Sequence, residues 1–308
     1  MVKVAIIGAG LMGHGLALVF ARGGYEVHVT DTQTEQLATV KSRIAATLRA
    51  LGQNTDCVAN VISASSLEDA VVRADIVVEA APEKLALKQQ VFERIEAAAS
   101  DDCIFASNTS VIPITQVMKK VKNKSRALGT HWWNPPYLVP LVEVIQTPET
   151  APEAVTWMMA LLTKLEKVPV HVKKDVPGFV GNRLQHALWR EAISLIENGV
   201  CDAETVDLVV KNSFGRRLAV LGPIENADMV GTDLTLDIHN QVLADLEDSH
   251  SPSPLLEALV AQGKLGFKSN LGFLNWTDAE KSATRDRVRE HLTMLNSILP
   301  EGKGKHAL

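Results

Sequence analysis

Two residues of this chain have the types that proton transfer needs, His131 and Glu143, and both lie in the stretch HWWNPPYLVPLVE. His131 ends an apparent strand, RALGTH, and Glu143 lies inside another, LVEVIQ. Between them Pro135, Pro136 and Pro140 forbid a continuous helix and fix several φ angles. The chain is therefore expected to leave one strand, run through a stiff turn and return along a neighbour. That layout brings a base and a carboxylate to one edge of a sheet. An imidazole held by a carboxylate is a general base near neutral pH. A lone histidine is more often a satisfied structural residue, so the pair takes its weight from what surrounds it.

A second constellation opens the chain. The apolar run VKVAIIG reads as a buried strand, and GAGLMG follows with Gly8, Gly10 and Gly13 in the G-x-G-x-x-G spacing. A helix comes next, LMGHGLALVFARGG, stopped by Gly23 and Gly24. The run EVHVT reads as a second strand that ends at Asp31. In this arrangement the first glycine makes a tight turn and the second lets a pyrophosphate touch the backbone. The third lets helix and strand pack closely, while the helix N-terminus, with Leu11 and Met12, faces the phosphates. An acid about 20 residues on holds the ribose hydroxyls, and Asp31 is placed to do so. Thr32 and Gln33 follow it with no arginine for a 2′-phosphate, so the expected cofactor is NAD rather than NADP. His14, inside the first helical turn, reads as structural.

The elements between these two constellations alternate. A helix is expected from about Thr34 to Leu51, with Leu37, Val40, Ile44 and Leu48 as its core stripe. A short helix and the strand DIVVEA follow, then Pro82 and Glu83, then a helix LALKQQVFERIEAAA. The strand CIFASNTS ends in a polar cluster at Ser107, Asn108, Thr109 and Ser110. Such alternation implies an α/β fold, a doubly wound and mostly parallel sheet of Rossmann type. Ligands bind beyond the carboxyl ends of such strands, where Asp31, Glu83, Ser110 and His131 all fall. After KKDVPGF the pattern changes. Pro177 and Gly178 precede a long helix, FVGNRLQHALWREAISLIEN, ended by Gly199. Asp202 is expected to cap AETVDLVVKN, and SFGRRLAVLGP reads as a loop. Helices then run through ADMVGTDLTLDIHNQVLADLE and PLLEALVAQGK, and Thr277 and Glu280 form a capping box for the last one. Residues 1–175 are expected to form the dinucleotide-binding domain and 176–308 an all-α domain. The tail EGKGKHAL reads as frayed.

Composition narrows the function. A net charge of -5 without basic blocks leaves no footprint for nucleic acid. No apolar run approaches the ~20 residues that span a bilayer, and MVKVAIIGAG reads as strand and turn rather than a signal peptide. Cys57, Cys103 and Cys201 are odd in number and widely spaced, which suits neither a disulfide framework nor a zinc knuckle. A cytoplasmic protein is expected. His171, His186 and His239 are isolated, so no metal is expected.

Several motifs together resemble the L-3-hydroxyacyl-CoA dehydrogenase family over nearly the whole chain: GAGLMG, VVEAAPEKLALK, ASNTS, HWWNPP followed by LVEVI, KKDVPGFVGNR and GKLGFKS. The resemblance implies that His131 and Glu143 are the catalytic pair and that Ser110 and Asn182 contact the reacting oxygen. It places Asp31, Glu83, Lys88, Ser110 and Asn134 in the NAD site, and it implies a homodimer joined through the helical half. Apolar stripes such as Leu184, Leu188, Ile193 and Leu195 agree with that. The chain also departs from the family. Trp132 and Trp133 stand where phenylalanines are usual, Val111 follows SNTS, and Asn270 replaces a common glycine. The loop SFGRRLAVLGP is longer than in the acyl-CoA enzymes and resembles relatives acting on carnitine, gulonate or pyridine carboxylates. The stretch ALGQNTDCVANV lacks the lysines and arginines found there in acyl-CoA enzymes. Arg216 or Arg217 would grip a carboxylate by paired hydrogen bonds, and Trp132 and Trp133 would suit a compact, partly aromatic pocket, with either able to be plain core. The expected substrate is thus a small hydroxy acid, oxidised from 3-hydroxy to 3-oxo. A 3-hydroxyacyl-CoA thioester is the alternative, and a non-catalytic, crystallin-like NAD-binding protein a remoter one.

Overall fold

The computed structural model describes residues 2–299, so the tail EGKGKHAL lies outside the described residues. Short aliphatic runs form β1 (Lys3–Ile7), β2 (Glu26–Thr30), β3 (Val61–Ser63), β4 (Ile76–Glu79) and β5 (Ile104–Ser107). Helices α1 (Leu11–Arg22), α2 (Thr34–Ala50), α3 (Leu67–Val71) and α4 (Leu85–Ala98) connect them. The short α5 (Ile114–Val117) leads to β6 (Ala127–Trp132) and β7 (Leu141–Ile145), and α6 (Pro152–Lys164) leads to β8 (Val168–Val172). The strands lie in the order β3-β2-β1-β4-β5-β6-β7-β8. All neighbours run parallel except β6 and β7. Parallel neighbours need crossovers, and the crossover helices bury both sheet faces. One face packs on α1, α2 and α6 through Phe20, Ile44 and Leu162. The other packs on α3, α4 and α5 through Phe92, Ile95 and Val117. The expected α2 stripe is buried at Val40, Ile44 and Leu48, and Leu37 packs at its edge. Pro169 sits in β8, the edge strand, where a missing N–H is tolerated.

The chain divides into two compact units, one running to Arg183 and taking back the chain from Asn296, the other Leu184–Leu295. The division falls inside α7 (Gly181–Glu197), past the breaker Pro177–Gly178. The reason is local: the first turn of α7 is hydrogen-bonded to the sheet side, as described below. The second unit holds most of α7 together with α8 (Ala203–Asn212), α9 (Pro223–Val230), α10 (Thr232–Val242), α11 (Pro254–Ala261) and most of α12 (Asp278–Ile298). Asp202 caps α8 through the Thr205 amide at 2.8 Å. Thr277 and Glu280 exchange bonds at the start of α12. The helical stretch ADMVGTDLTLDIHNQVLADLE holds the end of α9 and all of α10. Gly231, at φ +101°, separates α9 from α10 in a conformation L side chains rarely adopt. Among the described residues of Leu184–Leu295, only Lys281 is buried.

Candidate active site

The antiparallel register of β6 and β7 sets His131 directly opposite Glu143. Facing residues of such a pair project to the same side, with Cβ atoms roughly 5 Å apart. The His131 Nδ1 lies 2.7 Å from Glu143 Oε2, and both side chains are nearly fully buried. The other carboxylate oxygen, Oε1, accepts from the backbone amides of Val180 at 2.9 Å and Gly181 at 3.1 Å. These amides open α7, whose dipole favours an anion there. Burial alone would raise the Glu143 pKa, but the His131 ring and the Gly181 and Val180 amides outweigh it and hold the carboxyl below its ordinary range. An ionised Glu143 accepts only, so Nδ1 carries the ring proton and Nε2 is left as a base. Nε2 has no partner among the described residues. Gly181 is required: a Cβ there would lie 2.4 Å from Trp133 Cζ2.

His131 lines a cleft of about 370 Å³, within the ~300–1,000 Å³ range of small-molecule sites. Leu11, Met12, Glu83 and Ser110 line it as well, as do Trp133, Asn134 and Asn182, with Trp132 and Asn108 at its edge. Asn182, buried in the first turn of α7, donates Nδ2 to the Ser110 carbonyl at 2.7 Å. One amide hydrogen and the Ser110 hydroxyl remain for a ligand. Glu83 Oε1 takes the Thr109 hydroxyl at 2.5 Å and the Ser110 amide at 3.0 Å. Burial works against the Glu83 charge, yet Thr109, Lys88 and the loop amides bring its pKa below the ordinary value.

Lys88 is placed differently from the sequence expectation. Its side chain is 0% exposed and does not face the cleft. Its ammonium contacts Glu79 at 2.7 Å, the Ala81 carbonyl at 3.1 Å and Glu83 at 3.4 Å. Lys88 therefore supports Glu83 from behind. Glu79, which sequence reasoning missed, also takes the Ser107 hydroxyl at 2.7 Å and the Ala81 amide at 2.7 Å. The available signal was Lys88 on the apolar stripe of Leu85, Val91 and Ile95, where only a paired lysine is tolerated. Asn108 was noted as polar without a role, and its Oδ1 holds the Trp132 amide at 3.1 Å. Trp132 is 3% exposed and packed on Phe20, so it reaches the cleft only from the core side. Trp133, tilted against the His131 ring at 5.2 Å, forms the wall. Arg216 and Arg217 belong to the other unit, where both are exposed.

The glycine loop fits a dinucleotide. A Cβ at Gly13 would be 1.8 Å from the Gly8 carbonyl oxygen, so helix and turn touch there. A Cβ on Gly10 would meet nothing within 4 Å, which leaves open space before the α1 N-terminus for a pyrophosphate. Asp31 follows β2 and accepts from the amides of Ala9 at 2.6 Å and Gln33 at 2.7 Å, with lone pairs to spare for ribose hydroxyls. His14 bonds the Gly10 carbonyl from within α1.

Comparison with known proteins agrees with this geometry. Residues 3–176 match the 3-hydroxyacyl-CoA dehydrogenase NAD binding domain and residues 178–276 the C-terminal domain of the same family. The chain is 36% identical over 306 residues to 5-formyl-3-hydroxy-2-methylpyridine 4-carboxylate 5-dehydrogenase of Mesorhizobium japonicum, covering 98% of this chain and 99% of that one. A solved structure of such a pyridine-carboxylate enzyme, an NAD+-dependent dismutase, superposes with a TM-score of 0.90 at 35% identity, covering 97% and 98% of the two chains. The (S)-3-hydroxybutyryl-CoA dehydrogenase of Ralstonia eutropha superposes with 0.73 at 30% identity, covering 90% and 99%. The chain is an NAD-dependent dehydrogenase and belongs to the 3-hydroxyacyl-CoA dehydrogenase family.

Proposed function

We propose that the protein oxidises the secondary alcohol of a small free hydroxy acid, 3-hydroxy to 3-oxo, with His131 as general base. The observation that carries this is the 2.7 Å pair of His131 and Glu143, which leaves Nε2 ready to take a proton in the cleft. Bound NAD supplies the hydride acceptor. His131 removes the hydroxyl proton at Nε2, and Glu143 fixes the tautomer and stabilises the imidazolium. The Ser110 hydroxyl and the free hydrogen of the Asn182 amide bond the oxygen as it becomes a carbonyl. Gly8, Gly10, Leu11, Met12 and Gly13 present the helix start to the pyrophosphate, Asp31 takes the ribose, and Glu83 and Asn134 line the nicotinamide end. Lys88 acts through Glu83.

The free-acid reading has three supports. The similarity is higher to the pyridine-carboxylate enzyme than to the acyl-CoA enzyme. The stretch ALGQNTDCVANV brings no cation for the phosphates of CoA. The exposed guanidinium of Arg216 or Arg217 has the geometry to bind a carboxylate. A thioester substrate is the second reading, favoured by the likeness to the hydroxybutyryl-CoA enzyme. NADH absorbance with NAD and a panel of free 3-hydroxy acids, aromatic ones included, run beside acetoacetyl-CoA with NADH, separates the two. A kcat/KM of about 10⁴–10⁸ M⁻¹s⁻¹ for the thioester with no free-acid activity overturns the first.

The same reading assigns residues 1–175 to NAD and 176–308 to substrate and dimer contacts. A homodimer joined through the helical unit follows from its exposure. Leu184 is 60% exposed, Leu236 61% and Ile224 74%, and a helical unit with one buried residue has no core of its own. A second copy supplies it. The protein is placed in the cytoplasm, as its free cysteines suggest. Among the described residues no helix is long and apolar enough to cross a membrane.

A further inference from the structure

The turn that receives the dinucleotide contains a cation that its position in the sequence conceals. Arg43 lies on α2, well past Asp31, yet its Nη2 donates to the Ala9 carbonyl at 2.5 Å and to the Gln36 carbonyl at 2.8 Å. The Ala9 N–H in turn donates to Asp31 Oδ2 at 2.6 Å. A carboxylate and a guanidinium thus grip the same residue from its two polar ends, and the backbone of Ala9 alone separates them. A group bound at Asp31 is thus one residue's backbone away from the Arg43 guanidinium.

Arg43 is not used up by this role. A guanidinium has five N–H donors, and both carbonyls engage the same nitrogen. Nε is buried and out of a ligand's reach, but Nη1 has no partner among the described residues and stays available. Its charge is felt within the loop: burial holds His14 below the ordinary histidine range, and Arg43 pushes it the same way. Guanidinium and phosphate are matched in charge and in fork geometry. No arginine adjoins Asp31 along the chain, and the fold brings Arg43 to the same turn.

We infer that Arg43 is a specificity-determining residue: the Asp31 carboxylate alone keeps NADP out, and a cation able to receive a 2′-phosphate already stands behind it. With Asp31 ionised, a 2′-phosphate meets like charge at close range and loses the ribose hydroxyl that Asp31 would bind. With the carboxylate removed, the nearest fixed charge is Arg43. NAD preference in this chain is then one substitution deep. The inference rests on Asp31 facing the adenosine ribose, but it is independent of the substrate and of the His131 chemistry.

Titration calorimetry with 5′-AMP and 2′,5′-ADP tests it, because the two probes differ only in the 2′-phosphate and contain no nicotinamide. The quantity read is the ratio of their affinities within each variant, which cancels general damage to the loop. The parent should favour 5′-AMP. In Asp31→Ser the ratio should swing toward 2′,5′-ADP by about 10-fold or more, the effect of a gained charge-assisted contact. Adding Arg43→Met should abolish that swing. Asp31→Asn, which keeps the side-chain shape, gives the same reading if serine weakens the Ala9 anchor. Arg43→Met alone should deepen the parent's bias against 2′,5′-ADP, and this arm needs no change at Asp31. Equal ratios with and without Arg43, in either background, overturn the inference. Weak 5′-AMP binding that Asp31→Asn leaves unchanged would instead remove Asp31 from the ribose.

Discussion

Glu143→Gln removes one charge and almost no volume, so it isolates what the carboxylate does for His131. Oε1 of Glu143 receives two backbone amides, from Val180 and Gly181, while Oε2 receives His131 Nδ1. The variant's amide oxygen must stay with the two backbone donors, because an –NH2 group there would face N–H on both. The –NH2 then points at Nδ1, which can accept only if the ring proton moves to Nε2. That turns the base into a donor. Keeping the old tautomer would set donor against donor in a buried site, at a cost of about 1–3 kcal/mol. The imidazolium formed in turnover also loses its anion. In the Ser-His-Asp triad the equivalent exchange costs about 10⁴-fold, and a positioned base is generally worth about 10²–10⁴-fold. The expected result is a fall in kcat of about 10³-fold, followed by NADH absorbance across neutral pH, with NADH affinity by fluorescence nearly unchanged. A variant that keeps kcat within about threefold of the parent would refute the tautomer argument.

Four further outcomes are expected. His131→Gln should lower kcat by about 10²–10⁴-fold and leave NADH binding in place, and near-normal turnover would remove His131 from the chemistry. Gly181→Ala drives a methyl into Trp133 at 2.4 Å and beside Glu143 at 3.4 Å, so turnover should collapse while the circular dichroism spectrum stays the same. Burial lowers the Lys167 pKa to about 8 from 10.5, with Arg22 adding to the shift and Glu166 opposing it, so the unfolded chain binds the extra proton between those values. Urea unfolding should therefore show the parent gaining up to about 3 kcal/mol over Lys167→Met from pH 8 to 10.5, and parallel curves would refute it. Light scattering should find a dimer, and a lone 33.4 kDa species at micromolar concentration would count against the helical interface.

The alternating strands, the glycine turn and the pairing of His131 with Glu143 were legible because each leaves a local mark: period, spacing, or proline. The register that aligns the pair was not. It depends on the Pro135–Pro140 loop, where Lys167 reaches from the α6–β8 turn to bond the Pro136 carbonyl at 2.5 Å and the Val139 carbonyl at 3.1 Å. Prolines bring no N–H of their own, so a distant side chain supplies the donors, and nothing near His131 in sequence announces it. The partners of Lys88 were hidden for a related reason. Only the family resemblance put it beside the cofactor, whereas its position on the apolar stripe of α4 sets it in a buried ion cluster. Arg43 lies between Val40 and Ile44 on α2 and was concealed in the same way. In the helical unit, an apolar stripe such as Leu184 and Leu188 reads alike whether it meets its own chain or a second copy. The exposure, 60% and 39%, shows only that the described residues of this chain leave these side chains uncovered.

The parts of the cleft share one construction. Asp31 holds the amides of Ala9 and Gln33, Glu83 those of Ser110 and Val111, and Glu143 those of Val180 and Gly181. Asp175 does the same for Ile114 and Thr115 at the start of α5. Each carboxylate, set within a strand or in the segment after one, ties a loop or helix start in place by two charge-assisted bonds, stronger than neutral ones. The loops are therefore set before any ligand arrives, which is the condition for electrostatic stabilisation without reorganisation. Such clamps last only while the acids are ionised. Glu83 and Glu143 both have pKa values below the ordinary carboxylate range. Their contribution to stability is thus complete above the unfolded value and is lost only as pH falls through the lower, folded one. At neutral pH the Glu83 and Glu143 clamps on either side of the cleft are therefore both intact.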